Sequence, residues 1–418
     1  MPRDDNFLGV AGAATCAAGF VAMIILYAAS LAGAAEVAKT DPLQVPKFGL
    51  SKVEVFALAN EWRVSQQRRR SSAAPKVVVA SDAAPKDTSY IIRAVADVAG
   101  WGTVVIGETE DGDGRVYAAA AAQTDTTHLT IHHFASAQKF YALNSVAVAA
   151  SGVRDTRLLP DEEGPDEPRL RRGLIRRAVC DPGQFTDRET GRTVIRVGVL
   201  HTPEVLATDY YRGSSESVQA EVAVAVAVGN ADAFPQSGVG LKIELCVNGP
   251  LPPNTPSLER TSPRATLDAF ATSSAVEAVR AANKCDTMVL FATLGSLGNR
   301  ACGIGYLPGE HAVVAADCFV DNFSFLHELG HNIGACHGPP SRPCGAGANG
   351  YGDATNDFRT ILAYRAICGG GEGNCTRVPR FSNKKSGFNW KGEAIGDDRS
   401  DNAWILNANK GEVASRMC

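Results

Sequence analysis

Charged residues are missing from the N-terminal stretch of this chain, and cysteine is missing from most of its first half. No charge occurs between Phe7 and Ala35, and no cysteine occurs between Ala35 and Val179. Of the 11 cysteines, all except Cys16 follow Val179. The length of 418 residues predicts roughly two or three modules. An even set of cysteines in the second half indicates disulfides formed in an oxidising compartment.

A strong net charge is lacking as well. The chain has 41 Lys and Arg against 45 Asp and Glu, a formal charge of −4. This balance excludes a protein that binds nucleic acid through its net charge, and no nucleic-acid partner is predicted. Hydrophobic residues make up 45% and charged residues 21%, which excludes a chain that is disordered throughout.

The uncharged stretch from Phe7 to Ala35 is typical of an export signal. It ends in Ala32-Gly33-Ala34, a small-x-small pattern that suits signal peptidase. We therefore expect residues 1–34 to be a cleaved signal peptide and the protein to be secreted. The alternative is an uncleaved N-terminal anchor with the remainder outside the cell, because the apolar run is long enough to span a bilayer. A membrane partner is expected only in that case.

The sequence of residues 35–177 predicts a β-rich propeptide that is removed by proteolytic processing. Short runs such as Thr103–Ile106 and His128–Phe134 have the β-branched or alternating pattern of strands. A polar, proline-rich stretch, Pro160–Pro168, predicts an exposed linker. The arginine clusters of Arg169–Arg177 follow it and predict a cut by a processing protease. The alternative is a solvated charge run without a processing role.

Residues 178–418 alternate between predicted strands and helices. Thr193–Leu200, Val239–Val247 and Asp286–Phe291 read as strands, with helices predicted over Ser215–Phe234 and Thr266–Asn283. Two short strands are predicted near Cys302–Leu307 and Ala312–Ala316. This alternation predicts an α/β domain with a mostly parallel sheet and helices packed on it.

The chemistry of the second half is concentrated in the run from His327 to His337. On a helix, His327 and His331 lie four residues apart, so both imidazoles project from one face and can hold one ion. Gly334 permits the left-handed backbone that ends a helix, which lets His337 return as a third ligand. Glu328 leaves the helix about 100° from His327, within reach of a water on that ion.

Three protein ligands leave the fourth position of a zinc ion to water, which is the catalytic arrangement. The pattern therefore predicts one catalytic Zn²⁺ on His327, His331 and His337, with Glu328 as the general base. The alternative is a core helix whose histidines have structural partners. A pattern with Gly334 and His337 arises by chance in only on the order of one chain in 10⁵, which disfavours that alternative. Cys336 competes as a soft ligand, although a disulfide is its expected state in an oxidising compartment.

The sequence HELGHNIGACH, from His327 to His337, matches HExxHxxGxxH, the zinc-binding pattern of the metzincin metalloproteases. Thr360–Tyr364, Arg380–Asn383 and Asp401–Ala403 resemble the reprolysin branch, which is adamalysin-like or M12B-type. The resemblance covers about Val194 to Cys418. It implies a metzincin catalytic domain with a mixed, mostly parallel five-stranded sheet and a zinc helix, preceded by the β-rich propeptide.

The resemblance also implies an endopeptidase that acts on proteins and peptides and carries a removable propeptide. Carried over by position, His327, His331 and His337 are the zinc ligands and Glu328 is the base. The strand around Cys302–Tyr306 matches the family's upper edge strand. A disulfide between Cys302 and Cys418 is implied by the family alone, whereas the spacing of Cys368 and Cys375 suits a small loop. Calcium binding stays undetermined.

One position departs from the family pattern, and a second has two possible roles. Leu362 stands where the family's turn below the zinc has methionine, and the two side chains are close enough in volume for activity to survive. Tyr364 has the spacing of a tyrosine that lies near the metal in astacin-like relatives. It can stabilise an oxyanion or be purely structural.

Two function classes follow from these observations. The favoured one is a secreted zinc endopeptidase made as a zymogen. The other is a non-catalytic surface or adhesion protein in which the zinc site is a structural staple. An intact Glu328 favours the enzyme, since a staple does not need a base beside the metal.

Overall fold

The structure is a computed structural model that describes part of the chain. The described residues are 43–45, 52–67, 76–79, 88–98, 102–109, 116–122, 128–134, 139–144, 185–208, 211, 213, 215–293, 295, 301–320, 322–338, 347–368 and 375–417. From Gln44 onward the chain forms one compact unit. None of the helices in these ranges has the length and apolar character needed to cross a membrane. The stretch Phe7–Ala35, the linker Pro160–Pro168 and the cluster Arg169–Arg177 lie outside the described residues.

The N-terminal half forms a seven-stranded sheet, which confirms its predicted β-rich character. The strands lie in chain order, and the neighbours from β2 to β7 pair antiparallel. Their bounds are β1 Leu43–Val45, β2 Lys76–Val79, β3 Thr88–Val98, β4 Gly102–Thr109, β5 Val116–Ala122, β6 His128–Phe134 and β7 Lys139–Asn144. One helix, α1 (Lys52–Gln67), contacts β3, β4 and β5. We call β1–β7 with α1 the N-terminal module.

The second half contains the predicted five-stranded sheet. Its strands are β8 Thr193–His201, β9 Leu241–Pro250, β10 Thr287–Ala292, β11 Gly303–Gly305 and β12 His311–Ala315. The order is β11-β12-β10-β8-β9. Four strands run parallel, and only β11, at one end, pairs antiparallel to its neighbour β12. The mixed, mostly parallel sheet expected from the resemblance is confirmed.

Five longer helices accompany this sheet in the described ranges: α2 Ser215–Val228, α3 Pro263–Ala271, α4 Ser274–Asn283, α5 Ser324–Ile333 and α6 Asn402–Ala414. A π-helical turn, Gly229–Ala233, and a short helix, Phe234–Gln236, continue α2. The prediction of one helix over Thr266–Asn283 is wrong in its continuity. Ser273 is extended, and its side chain accepts a hydrogen bond from Val276 N, so a new helix begins there.

The C-terminal part is built of short strands and one helix. A three-stranded sheet comprises β13 Gly352–Asp353, β14 Phe358–Arg359 and β15 Thr376–Arg377. The hairpin of β16 Asn389–Trp390 and β17 Glu393–Ala394 follows. This part also supplies the turn Thr360–Ala363, which lies beneath α5.

The disulfides correct one expectation and confirm another. Cys302 pairs with Cys318, not with Cys418, because β11 and the turn after β12 bring those two residues together at the same edge of the sheet. Cys368 and Cys375 close the small loop predicted from their spacing. Cys246 bonds Cys285, and Cys336 is also disulfide-bonded, so it is not a thiolate ligand.

Two buried histidines in the sheet make stability depend on pH. Burial lowers the pKa of His201 and of His311 to about 4, whereas an unfolded histidine has a pKa of about 6.5. Between these values the unfolded chain binds more protons than the folded chain, so the free energy of unfolding falls as pH falls. From pH 7 to pH 5 we expect a loss of about 1–2 kcal/mol per histidine. Asp286 offsets part of this loss of stability. Burial raises the pKa of its carboxyl to about 6, so the folded chain binds this proton more readily than the unfolded chain.

Urea denaturation at both pH values measures this effect. His201→Asn removes one titrating group, so its free energy of unfolding should depend less steeply on pH than that of the unmodified protein. Equal pH dependence of the two proteins would show that folding does not lower the pKa of His201.

Candidate metal centre

Helix α5 carries His327, Glu328 and His331 and is buried along its whole length. It ends at Gly334, which has the left-handed φ of 111° predicted for this position. The amides of Gly334 and Ala335 donate to the carbonyl of Gly330, at 3.1 and 2.9 Å, and so cap the helix. The chain then reverses and brings His337 back beside the helix.

The structure brings together the three histidines singled out from the sequence. The Nε2 atoms of His327 and His331 are 3.0 Å apart. The Nε2 atom of His337 lies 2.9 Å from that of His327 and 2.7 Å from that of His331. Within the described residues these three form a group whose donor atoms can hold one metal ion.

The second ring nitrogens show which tautomer two of these histidines adopt. Nδ1 of His327 lies 2.7 Å from the carbonyl oxygen of Ile361, and Nδ1 of His331 lies 2.8 Å from that of Ala335. A carbonyl oxygen only accepts, so each Nδ1 carries the proton and donates it. In its neutral form each ring with a donating Nδ1 presents an unprotonated Nε2, which is the nitrogen that binds a metal.

This donor set suits a zinc ion. Three Nε2 lone pairs repel one another at separations of 2.7–3.0 Å unless a cation lies between them. Burial, with the neighbouring histidines and Arg377, lowers the pKa of His337 well below its usual value, which keeps this imidazole in the neutral form. Three imidazoles are a known catalytic ligand set for zinc.

A turn from Thr360 to Ala363 forms the floor of the site. Leu362 is fully buried, and its side chain packs against Gly330, where an added Cβ would be 3.0 Å from a Leu362 methyl. The buried Arg359 donates to the carbonyl of Ala363 at 2.7 Å and to that of Cys375 at 3.3 Å. Since the turn also supplies the Ile361 carbonyl, it both supports the helix and orients His327.

Tyr364 lies beside the third histidine. Its ring centroid is 3.9 Å from that of His337, with the planes tilted by 33°. This contact restrains the His337 ring. A role of the Tyr364 hydroxyl at an oxyanion stays a prediction.

The Glu328 side chain points toward β11, and this contact was not foreseen from the sequence. A Cβ on Gly303 would lie 2.5 Å from Glu328 Oε1, and one on Gly305 would lie 3.1 Å from Oε2. The two glycines alternate along the strand and so share one face. Their missing side chains make the space that the carboxylate occupies. The sequence signal from which this contact could have been predicted is the Gly-x-Gly pattern that precedes the helix.

Gly303→Ala is expected to lower the free energy of unfolding by about 1–3 kcal/mol, the usual cost of overpacking. In a Glu328→Ala background the same substitution should cost less than about 0.5 kcal/mol, because the opposing carboxylate is gone. Urea denaturation of the four proteins measures this coupling. An unchanged cost in both backgrounds would show that Gly303 does not make room for Glu328.

Asn332 links helix α5 to the five-stranded sheet through side-chain hydrogen bonds. Its Nδ2 donates to the carbonyls of Tyr306 and His311, at 3.0 and 3.1 Å, so α5 is held against β11 and β12. Arg416, after α6, donates to the Asn332 carbonyl at 3.0 Å. These contacts hold the position of Glu328 relative to β11.

Comparison with known families identifies the same region. Residues 191–386 match the sequence model described as metallo-peptidase family M12B, reprolysin-like. The matched range contains the five-stranded sheet, α5 and the three histidines. The resemblance to the reprolysin branch is thereby confirmed within residues 191–386, whereas Asp401–Ala403 lie beyond the matched range. A search of curated proteins finds no significant match.

Two solved structures are similar at low identity. One is described as "Structure of a chaperone-substrate complex", with 12% identity and a TM-score of 0.42 over 83% of this chain; the present chain spans 43% of its length. The other is metalloproteinase-II from Bacteroides fragilis, with 10% identity and a TM-score of 0.39, covering 90% of this chain and 99% of that one.

Proposed function

We propose that this chain, whose residues 191–386 are those of a reprolysin-like M12B metallopeptidase, is a secreted zinc endopeptidase made as a zymogen. It would hydrolyse internal peptide bonds of proteins and peptides. The observation that carries the proposal is the convergence of three imidazole Nε2 atoms within 3.0 Å of one another, on and beside a helix that also bears Glu328.

His327, His331 and His337 would hold one zinc ion, with the first two oriented by the carbonyls of Ile361 and Ala335. When bound, zinc supplies a Lewis acid for the scissile carbonyl and lowers the pKa of a water to about 7. Glu328 accepts the proton of the attacking water and then donates it to the amine of the leaving peptide. The space left by Gly303 and Gly305 keeps this carboxylate in place.

Substrate binding would use the end of the sheet. β11 is a terminal strand, paired on one side with β12. An extended peptide can add to such an edge through backbone hydrogen bonds. Because β11 also lies against Glu328, a peptide on that edge has a carbonyl close to the base.

Secretion and zymogen processing rest on separate observations. The uncharged stretch Phe7–Ala35 is suited to export, and the disulfides Cys246–Cys285, Cys302–Cys318 and Cys368–Cys375 suit an oxidising compartment. The arginines of Arg169–Arg177 follow the linker Pro160–Pro168, where a processing protease finds an accessible strand. The proposed catalytic domain, residues 178–418, begins directly after them.

The test is a digest of casein with the purified full chain and with the chain cut at the linker, followed by mass spectrometry of the products. The proposal expects new termini inside the casein sequence, formed by the cut protein and prevented by a zinc chelator. No cleavage by either form, with zinc retained, would instead favour a structural zinc site in a surface or adhesion protein.

A further inference from the structure

The second half of helix α2 has no polar face. Seven consecutive residues, Val222–Val228, are valine or alanine, and each is at most 4% exposed. Seven residues cover about two turns of helix and so point in every direction. A helix that packs on one sheet and faces water on its other side carries polar residues on that side, whereas an apolar surface all round belongs to a helix covered on both sides.

One side of α2 is tied to the five-stranded sheet. Asn248 on β9 donates to the carbonyl of Gln219 at 3.1 Å. Two residues beyond the end of the helix, Asn230 exchanges hydrogen bonds with the backbone of Ile243, at 2.7 and 2.8 Å. These contacts leave the opposite side of α2 directed away from β9.

The N-terminal module covers that other side. Helix α2 contacts β3, β4, β5 and β6. Val98, Val104 and Ile106 belong to the same buried cluster as the α2 valines, and Ala94 and Ala96 pack against it. Ala94 is paired with Ile106 and Ala96 with Val104, so these side chains alternate along their strands and form one apolar face.

The other face of the N-terminal sheet is filled by α1. Val55, Leu58 and Ala59 of α1 are buried, as is Val105, which alternates with Val104 and Ile106. A register shift between Ile92 and Ala94 changes the face that β3 presents. The sheet is thus covered by α1 on one face and by α2 on the other. Separating the module from α2 would expose apolar surface on both pieces, which costs free energy in proportion to the area.

We infer that the N-terminal module is a lasting partner of the catalytic domain: after the linker is cut, the module remains bound to α2 as part of a separate chain. The inference rests on the proposed function only because it takes the cut at the linker as the step that processes the zymogen. The evidence for it is the apolar core that the module shares with α2, which does not include the three histidines. Processing then yields a two-chain enzyme, and removal of the module would require a further step that compensates for the exposed surface.

The test uses the full chain with residues 160–168 replaced by the recognition sequence of a site-specific protease. Glu328→Gln is included so that the separated chains are not self-digested. After complete cutting, size-exclusion chromatography at low micromolar concentration is expected to show both chains in one peak. Two separate peaks, or loss of the module from the catalytic chain, would overturn the inference. The readout needs no peptidase activity, so its failure is distinct from failure of the proposed function.

Matched variants locate the interface. Ala96→Arg places a charge in the face against α2 and should weaken binding of the cut chains by about 100-fold or more. Val64→Arg adds the same charge at a position on α1 that is 44% exposed, and should leave binding unchanged. Val104→Ala is the milder variant if Ala96→Arg does not fold, with an expected weakening of about tenfold. Equal binding by the Val104→Ala, Val64→Arg and unmodified proteins would contradict the assigned face.

Discussion

Glu328→Gln is expected to lower kcat/KM for peptide cleavage by at least about 100-fold while the protein keeps its fold and its zinc. Glutamine preserves the volume that Gly303 and Gly305 leave for this side chain, so the packing of α5 against β11 is retained. What is lost is the ability to accept a proton, and general acid–base catalysis contributes about 10²–10⁴-fold. Initial rates on a fluorogenic peptide, with zinc content measured on the same sample, test this expectation.

Glu393→Gln is the matched control for this change. Glu393 is an exposed residue of β17, and its replacement removes one carboxylate outside the site. It should leave kcat/KM unchanged. If Glu328→Gln and Glu393→Gln cleave equally well, Glu328 is not the base.

His337→Ala is expected to abolish zinc retention and, with it, cleavage. His337 supplies the third Nε2 of the centre, 2.7 and 2.9 Å from the other two. Loss of a residue that only orients a ligand lowers metal affinity by about 10–100-fold, so loss of a ligand itself should lower it by at least about 100-fold. Competition with a fluorescent zinc chelator measures the affinity.

His201→Asn serves as the control for loss of a buried histidine. His201 lies at the end of β8 and contacts Ser215 Oγ at 3.1 Å, so it belongs to the sheet and not to the three-histidine group. This variant should retain zinc with unchanged affinity. Full zinc binding by His337→Ala would mean that the loop histidine is not a ligand.

The centre could be predicted from sequence because most of it is local. Two histidines four residues apart on a helix must share a face, and Gly334 permits the reversal that returns His337. The alternation of strands and helices similarly predicted a mostly parallel sheet. Each of these inferences depends on residues close together in the chain.

Features that depend on distant contacts could not be predicted in this way. The space that Gly303 leaves for Glu328 exists only because β11 pairs antiparallel at the end of the sheet beside α5. The pairing of Cys302 with Cys318 has the same origin, and the resemblance implied a different partner. Ser273 started a new helix where apolar spacing alone indicated one continuous helix.

The packing partner of helix α2 could not be predicted from local sequence either. Its valine and alanine run predicted a helix, but nothing local indicated what would cover its second side. The cover comes from Val98, Val104 and Ile106, more than a hundred residues earlier in the chain. A helix that is apolar all round therefore signals a second packing partner, although it does not identify that partner.

Removal and restoration of zinc show whether peptide cleavage depends on the three-histidine centre. Zinc content and peptide cleavage are measured on the cut protein as purified, after dialysis against a chelator, and after stepwise return of zinc. We expect one zinc per chain, loss of cleavage when the metal is removed, and recovery of cleavage in proportion to the zinc returned. Folded protein that cleaves peptides at an unchanged rate without zinc, or that never binds zinc, would show that the three histidines do not form a catalytic zinc site.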